Sequence, residues 1–226
     1  MNPELIFYHT IEEAVARIAE LLPACDNRIG LVSPSHYIDI IPELMERLHS
    51  KGFYPTVVYN SNGYDSPEQL RKIAQYIDVY LPDYKYADPN IAFQYSHAYN
   101  YPEKALESLR EMYYQKGSPL ITDEKGSAIQ GMIIRHLVLP NHVDNSKRVL
   151  ESIAENLSTN IHISLMAQYF PPKGLTLPEP LRRTLNRDEY ETITSYFHEL
   201  GFHNGWIQDL NSHNHYKPNF TKQDAF

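Results

Sequence analysis

The chain has one cysteine, Cys25, among 226 residues. A single thiol excludes an intrachain disulfide and any metal cage built from several cysteines of this chain, and it fits a reducing cytoplasm. Positive charge is also scarce. Against 28 Asp and Glu stand 20 Lys and Arg, for a net charge of −8. No dense Lys/Arg run occurs, which argues against a general nucleic-acid binder. No apolar run reaches the roughly 18 residues that a membrane helix needs, so no membrane span is expected. Residues 1–14 (MNPELIFYHTIEEA) contain neither a basic segment nor an apolar h-region, so no signal peptide is expected and the location predicted is cytoplasmic. A G-x-S-x-G elbow is missing, which disfavours a serine hydrolase. The chain contains no repeat and no low-complexity segment.

What is present is a series of apolar strand patterns that each run into a polar cluster. They are residues 28–36 (RIGLVSPSH), 54–63 (YPTVVYNSNG), 77–85 (IDVYLPDYK), 131–140 (GMIIRHLVLP) and 160–169 (NIHISLMAQY). The fourth is rich in branched apolar residues, as a strand covered on both faces would be. Helical patterns separate most of them. Thr10 and Glu13 form a capping box opening a helix over 11–22. A helix is expected over 37–50, with Pro42 kinking it or marking its start. Ser66 with Pro67 and Gln69 caps a short helix. Asp88-Pro89 opens a helix to about 98, and further helices are expected over 102–115, 145–156 and, behind the Asn186/Glu189 cap pair, to about 200. Residues 122–128 (TDEKGSA) read as a loop, and so do residues 171–180 with their four prolines. A short final strand fits within 201–208.

The β–α order, repeated about five times after an N-terminal helix, predicts parallel strands joined by right-handed crossovers. The fold class expected is α/β: a partial (β/α) barrel of about five parallel strands over a single domain, 1–210, followed by a polar tail, 211–226. A barrel is favoured over a doubly wound sheet because all five strand ends carry polar residues, whereas a doubly wound sheet concentrates its site at one switch point.

Several residues are candidates for chemistry. Asp83 and Lys85 lie two apart at a strand end and share a direction if extended geometry persists. They suit a cation, or the amino and carboxylate groups of an amino-acid ligand, and Lys85 alone suits a Schiff base as in an aldolase. A rim salt bridge is the structural alternative. Asn60, Ser61, Asn62 and Gly63 present amides and backbone N–H groups, or form a turn alone. Arg135 sits inside an apolar strand, where it clamps a carboxylate or enters an internal ion pair. His136 points the other way and reads as structural. Ser33, Ser35 and His36 form a hydroxyl and imidazole cluster. Gln168 and Tyr169 either meet a flat ligand edge or pack. His213 and His215 have metal-like spacing, but a metal site needs more ligands on a rigid frame.

The ordered segments 31–37 (LVSPSHY), 58–65 (VYNSNGYD), 78–85 (DVYLPDYK), 134–140 (IRHLVLP), 164–171 (SLMAQYFP) and 187–190 (RDEY) resemble the radical S-adenosylmethionine (SAM) superfamily, in particular the group related to pyruvate formate-lyase activating enzymes. The resemblance implies a partial barrel holding SAM at the C-terminal strand ends. A 4Fe-4S cluster bound by a C-x3-C-x2-C motif would cleave SAM to a 5′-deoxyadenosyl radical, which abstracts a hydrogen atom. Implied partners are a glycyl radical enzyme or other protein substrate, with flavodoxin or ferredoxin as electron donor. By the same resemblance Asn60 lies near the SAM methionyl group, Asp83 and Lys85 beside its carboxylate, Arg135 faces SAM, and Gln168 and Tyr169 lie near the adenine. Ser33, Ser35, His36 and Asn62 complete the implied cofactor-binding set. The three-cysteine motif is missing, and so is the βα unit that would carry it. The implied function is therefore the SAM-binding and substrate-side portion of such an enzyme, inactive without cluster cysteines and consistent with a late start of the sequence. A non-catalytic barrel that binds SAM or a partner, and a Lys85 aldolase, stand as alternatives.

Overall fold

The computed structural model of the chain describes residues 10–172 and 174–210. The expected tail 211–226, with His213 and His215, lies outside the described residues.

Helix α1, Ile11–Leu21, begins at the expected capping box: Glu13 N–H donates to Thr10 Oγ1 at 3.2 Å and Thr10 N–H donates to the Glu13 carboxylate at 2.8 Å. Strand β1, Arg28–Val32, follows. The expected helix over 37–50 is shorter. Two 3-10 turns, Pro34–His36 and Ile38–Ile40, precede α2, Ile41–Ser50, with Pro42 in its first turn, where a missing N–H costs no helical bond. Next come β2, Thr56–Asn60, α3, Pro67–Ile73, and β3, Val79–Tyr80. Ser66 occupies the N-cap position of α3, but its side chain makes no capping bond. The two consecutive helices expected after the third strand are α4, Pro89–Ser96, and α5, Tyr101–Lys116. Asp88 caps α4 by accepting from the N–H groups of Asn90 and Ile91.

The loop expected over 122–128 is present at residues 123–127, and its end residues Thr122 and Ala128 lie in strands. Strand β4, Ile121–Thr122, pairs antiparallel with the start of β5, Ala128–Leu137, around a turn at Gly126. This hairpin reaches β1, which is not a sheet neighbour of β5: Arg28 bonds to Asp123 at 2.5 Å and to the Ala128 carbonyl at 3.2 Å. The remaining elements are α6, Val143–Asn156, β6, His162–Met166, α7, Arg187–Glu199, and β7, Gly205–Ile207, the short final strand.

The sheet order is β1-β2-β3-β5-β6-β7, with every neighbouring pair on this path parallel. Six parallel strands thus stand where about five were expected. The order rises without reversal, so there is no switch point of the doubly wound kind. Among the described residues β1 pairs only with β2 and β7 only with β6, so the sheet is an open barrel.

Burial alternates along the strands. Val57 and Tyr59 of β2 and Met132, Ile134 and His136 of β5 are buried in one core with the apolar faces of the helices. Thr56, Val58 and Asn60, and Ile133, Arg135 and Leu137, are half-buried on the opposite, concave face. The expectation that β5 is covered on both faces is therefore corrected: its inner face is open, and that is where Arg135 points. Among the described residues no helix is long and apolar enough to cross a membrane.

Candidate functional site

The inner-face positions at the C-terminal strand ends bring together Asn60 from β2, Asp83 and Lys85 beyond β3, and Arg135 from β5. Asp83 forms an isolated parallel bridge to Arg135, which extends the β3–β5 ladder past the formal end of β3. Arg135 Nη2 lies 2.6 Å from Asp83 Oδ1 and donates to Asn60 Oδ1 at 2.6 Å. Asp83 Oδ2 lies 3.1 Å from Lys85 Nζ. The result is one chain, Asn60–Arg135–Asp83–Lys85, carrying two cations and one carboxylate. The Arg135 Nε is buried and has no hydrogen-bond partner. A buried donor without an acceptor is costly, so this guanidinium is not fully satisfied by the protein around it. Lys85 is ion-paired with Asp83, and its side chain is 38% exposed.

Beside Lys85 lies an apolar cavity of about 250 Å³, lined by Tyr86, Tyr95, Leu137, Leu139 and Tyr169 among others. The proline-rich loop closes it with Leu177 and Leu181, and Tyr169 Oη donates to the Leu181 carbonyl at 2.8 Å. At its edge Tyr95 Oη lies 2.7 Å from His142 Nε2. Burial lowers the His142 pKa. A larger groove between α6 and α7, lined by Lys147, Asp188, Glu191 and Glu199, is an open surface depression to which no strand end contributes.

The other sequence candidates fall elsewhere. Gln168 accepts from Gln208 Nε2 at 3.1 Å and so ties the end of β6 to the segment after β7. Asn62 is exposed, and its Oδ1 accepts from the Tyr64 N–H at 2.9 Å, as in an Asx turn. Ser33 is exposed with φ 51°, and its N–H donates to the Asn60 carbonyl at 2.9 Å. His36 is exposed. The structure therefore does not join Ser33, Ser35 and His36 into one cluster: Ser35 Oγ donates instead to Asp65 Oδ1 at 2.6 Å. His136 is fully buried on the helical face, with Nδ1 2.7 Å from the Tyr84 carbonyl and Nε2 2.9 Å from Ser146 Oγ. Burial pushes its pKa down to about 4.

Sequence reasoning did not single out Asp65 or Tyr101. The Asp65 Oδ1 also accepts from Tyr59 Oη at 2.8 Å, and its buried Oδ2 has no hydrogen-bond partner. Burial, reinforced by the Asp65 carboxylate, raises the Tyr59 pKa. Tyr101, one of 18 tyrosines, carries no local signal that would distinguish it.

The residues fit SAM and its cluster unequally. A zwitterionic head would meet charged partners in Arg135, Asp83 and Lys85, and a flat ring would meet the apolar lining of the adjoining cavity. A cysteine-ligated cluster finds no such frame. Cys25 is exposed and precedes β1, so it lies at the N-terminal end of the strands, opposite the polar chain. Among the described residues no group of three His, Cys, Asp or Glu is placed to hold a metal ion.

No protein-family model matches the chain. The uncharacterized protein MJ0674 of Methanocaldococcus jannaschii is 32% identical over 137 residues, covering 60% of this chain and 36% of that protein. The match thus spans about a third of the relative's length. Among solved structures, a domain of pyruvate-formate lyase-activating enzyme from Bacteroides vulgatus superposes with a TM-score of 0.56 at 13% identity, covering 81% of this chain and 99% of that domain. At that identity the likeness is one of fold alone: an α/β domain with a parallel sheet and surrounding helices.

Proposed function

We propose that this chain is the SAM-binding and substrate-side portion of a radical SAM enzyme of the activating-enzyme type. The observation that carries the reading is the Asn60–Arg135–Asp83–Lys85 chain, with its unpartnered Arg135 Nε, at the C-terminal ends of three strands of a barrel of this type. Enzymes on parallel barrels place their chemistry at that end of the strands.

In such enzymes SAM supplies a 5′-deoxyadenosyl radical once a reduced 4Fe-4S cluster cleaves it. The described residues hold no ligands for that cluster, so the role proposed for this chain is binding and orientation. Arg135, whose side chain is 25% exposed, receives the ligand carboxylate. Asp83 accepts from the α-ammonium group. Asn60 fixes the guanidinium by accepting from its Nη2. The cavity beside Tyr169 takes the flat apolar portion and excludes water from it. A whole protein of this kind would act on a glycyl radical enzyme or another protein substrate and draw electrons from a flavodoxin or ferredoxin. The second reading is a non-catalytic barrel that binds SAM or a partner; the single, remote Cys25 favours it.

Calorimetric titration with SAM tests the site. Each of Asp83→Ala and Arg135→Ala removes a charge-assisted contact of about 1.5–3 kcal/mol, which is about 10- to 100-fold in affinity. Affinity unchanged from the wild type in both variants would remove the site assignment. If SAM fails to bind the chain, the reading itself fails.

A further inference from the structure

Beyond Tyr84 the β3 segment runs out of strand neighbours. The Asp83 N–H donates to the Ser61 carbonyl at 3.0 Å and the Tyr84 N–H to the Arg135 carbonyl at 2.9 Å. Lys85 is the next residue, and both its backbone groups turn to side chains. Its N–H donates to Tyr101 Oη at 3.0 Å, and its carbonyl accepts from Asn145 Nδ2 at 3.1 Å. Buried backbone groups require partners. Here the partners come from the start of α5 and from α6.

Tyr101 does more than satisfy one amide. Its hydroxyl proton is shared between the Asn62 carbonyl at 2.9 Å and the Asp83 carbonyl at 3.1 Å. One oxygen therefore joins the turn after β2 to both ends of the Asp83–Lys85 segment. The ring is packed as well: it stacks on Tyr64 at 6.0 Å with planes 3° apart and meets Tyr86 edge-on at 5.5 Å. The residue is only 4% exposed. Gly63 supports this junction, since a Cβ there would lie 2.2 Å from the Asp83 carbonyl oxygen. The side chains of Asp83 and Lys85 face the trough, while the backbone that aims them is gripped from behind.

We infer that Tyr101 is a positioning residue for the binding site: its hydroxyl, with Asn145 as counterpart, sets the direction of Asp83 and Lys85 toward the ligand without touching it. The inference rests on the SAM-binding reading for its ligand, and on the structure alone for its clamp.

The test compares Tyr101→Phe with Tyr80→Phe. The Tyr80 hydroxyl is likewise bonded, to Gln115 at 2.6 Å, but on the helical face of the sheet. Loss of either hydroxyl lowers the melting temperature by about 2–4 °C for a chain of this size. Only Tyr101→Phe accelerates hydrogen exchange at the Lys85 amide, about tenfold or more, and only it weakens SAM binding, about tenfold. Asn145→Asp, which keeps an acceptor for the Ala87 and Asp88 N–H groups but replaces the donor to Lys85, loosens the same segment should Tyr101→Phe fold poorly. Unchanged exchange at Lys85, or an equal loss of affinity in both tyrosine variants, overturns the inference. If the wild-type chain binds no SAM, the proposed function fails, and the exchange measurement still decides the clamp.

Discussion

Arg135 and Asp83 lie opposite one another across a single parallel bridge, and their side chains meet at 2.6 Å on the open face of the sheet. The ladder that ends there delivers both charges to the same point, and Lys85 and Asn60 complete a chain of four polar groups. A partly enclosed pair of this kind is stable as a pair and costly when broken.

Asp83→Ala leaves the Arg135 guanidinium with Asn60 as its side-chain partner. A loss of about 2 kcal/mol is expected, between the values for exposed and fully buried pairs. Urea unfolding of Asp83→Ala, Arg135→Met and the double variant measures it. The double variant should recover part of the loss, and strict additivity would mean the pair is not coupled.

Gly63→Ala and Gly52→Ala separate strain from collision. Both glycines have positive φ, +77° and +86°, but a Cβ at Gly52 meets nothing within 4 Å, whereas one at Gly63 would strike the Asp83 carbonyl oxygen. Gly52→Ala should cost about 1 kcal/mol and Gly63→Ala clearly more. Equal melting temperatures would show that the turn after β2 yields easily.

The buried His136 predicts a pH dependence of folding. Its folded pKa of about 4 lies below the ordinary value of 6.5 because burial disfavours the imidazolium. Between these values the unfolded chain binds the extra proton. Stability contributed by neutral His136 is therefore complete above pH 6.5 and is lost as pH falls toward 4, by up to about 3 kcal/mol. Unfolding at pH 7 and pH 4.5, with a ring titration by NMR, checks it. A ring that titrates near 6.5 in the folded protein would sink the assignment.

Glu189 acts in a lower window. It accepts from Arg183 at 2.7 Å, from the Asn141 N–H at 2.6 Å and from the Asn186 N–H at 3.1 Å, so it caps α7 and holds the turn before α6. The Arg183 guanidinium is the main cause that brings its pKa down from 4.5 to about 2. Glu189→Gln should cost about 1–2 kcal/mol at pH 7. This advantage of the wild type is full above pH 4.5 and shrinks as pH falls toward 2. A stability difference constant from pH 6 to pH 2.5 would contradict it.

The elements were legible in the sequence where the signal is local. Capping at Thr10/Glu13 and Asn186/Glu189, the apolar strand runs and the polar residues at their ends follow from spacing and side-chain chemistry, and they located Asn60, Asp83, Lys85 and Arg135 at strand ends. The loop at 123–127 was legible, but the hairpin it belongs to was not, because the two-residue strand β4 carries too little periodicity to be seen. Only the tertiary structure decided which of the strand-end residues meet. Arg135 reaches Asn60 across 75 positions and Tyr101 reaches Lys85 across 16, and Asp65 rather than a site residue takes the Ser35 hydroxyl. The physical reason is that periodicity reports which face of an element is buried. Which distant groups share a hydrogen bond is set by register, by turn geometry and by where a ladder runs out of partners.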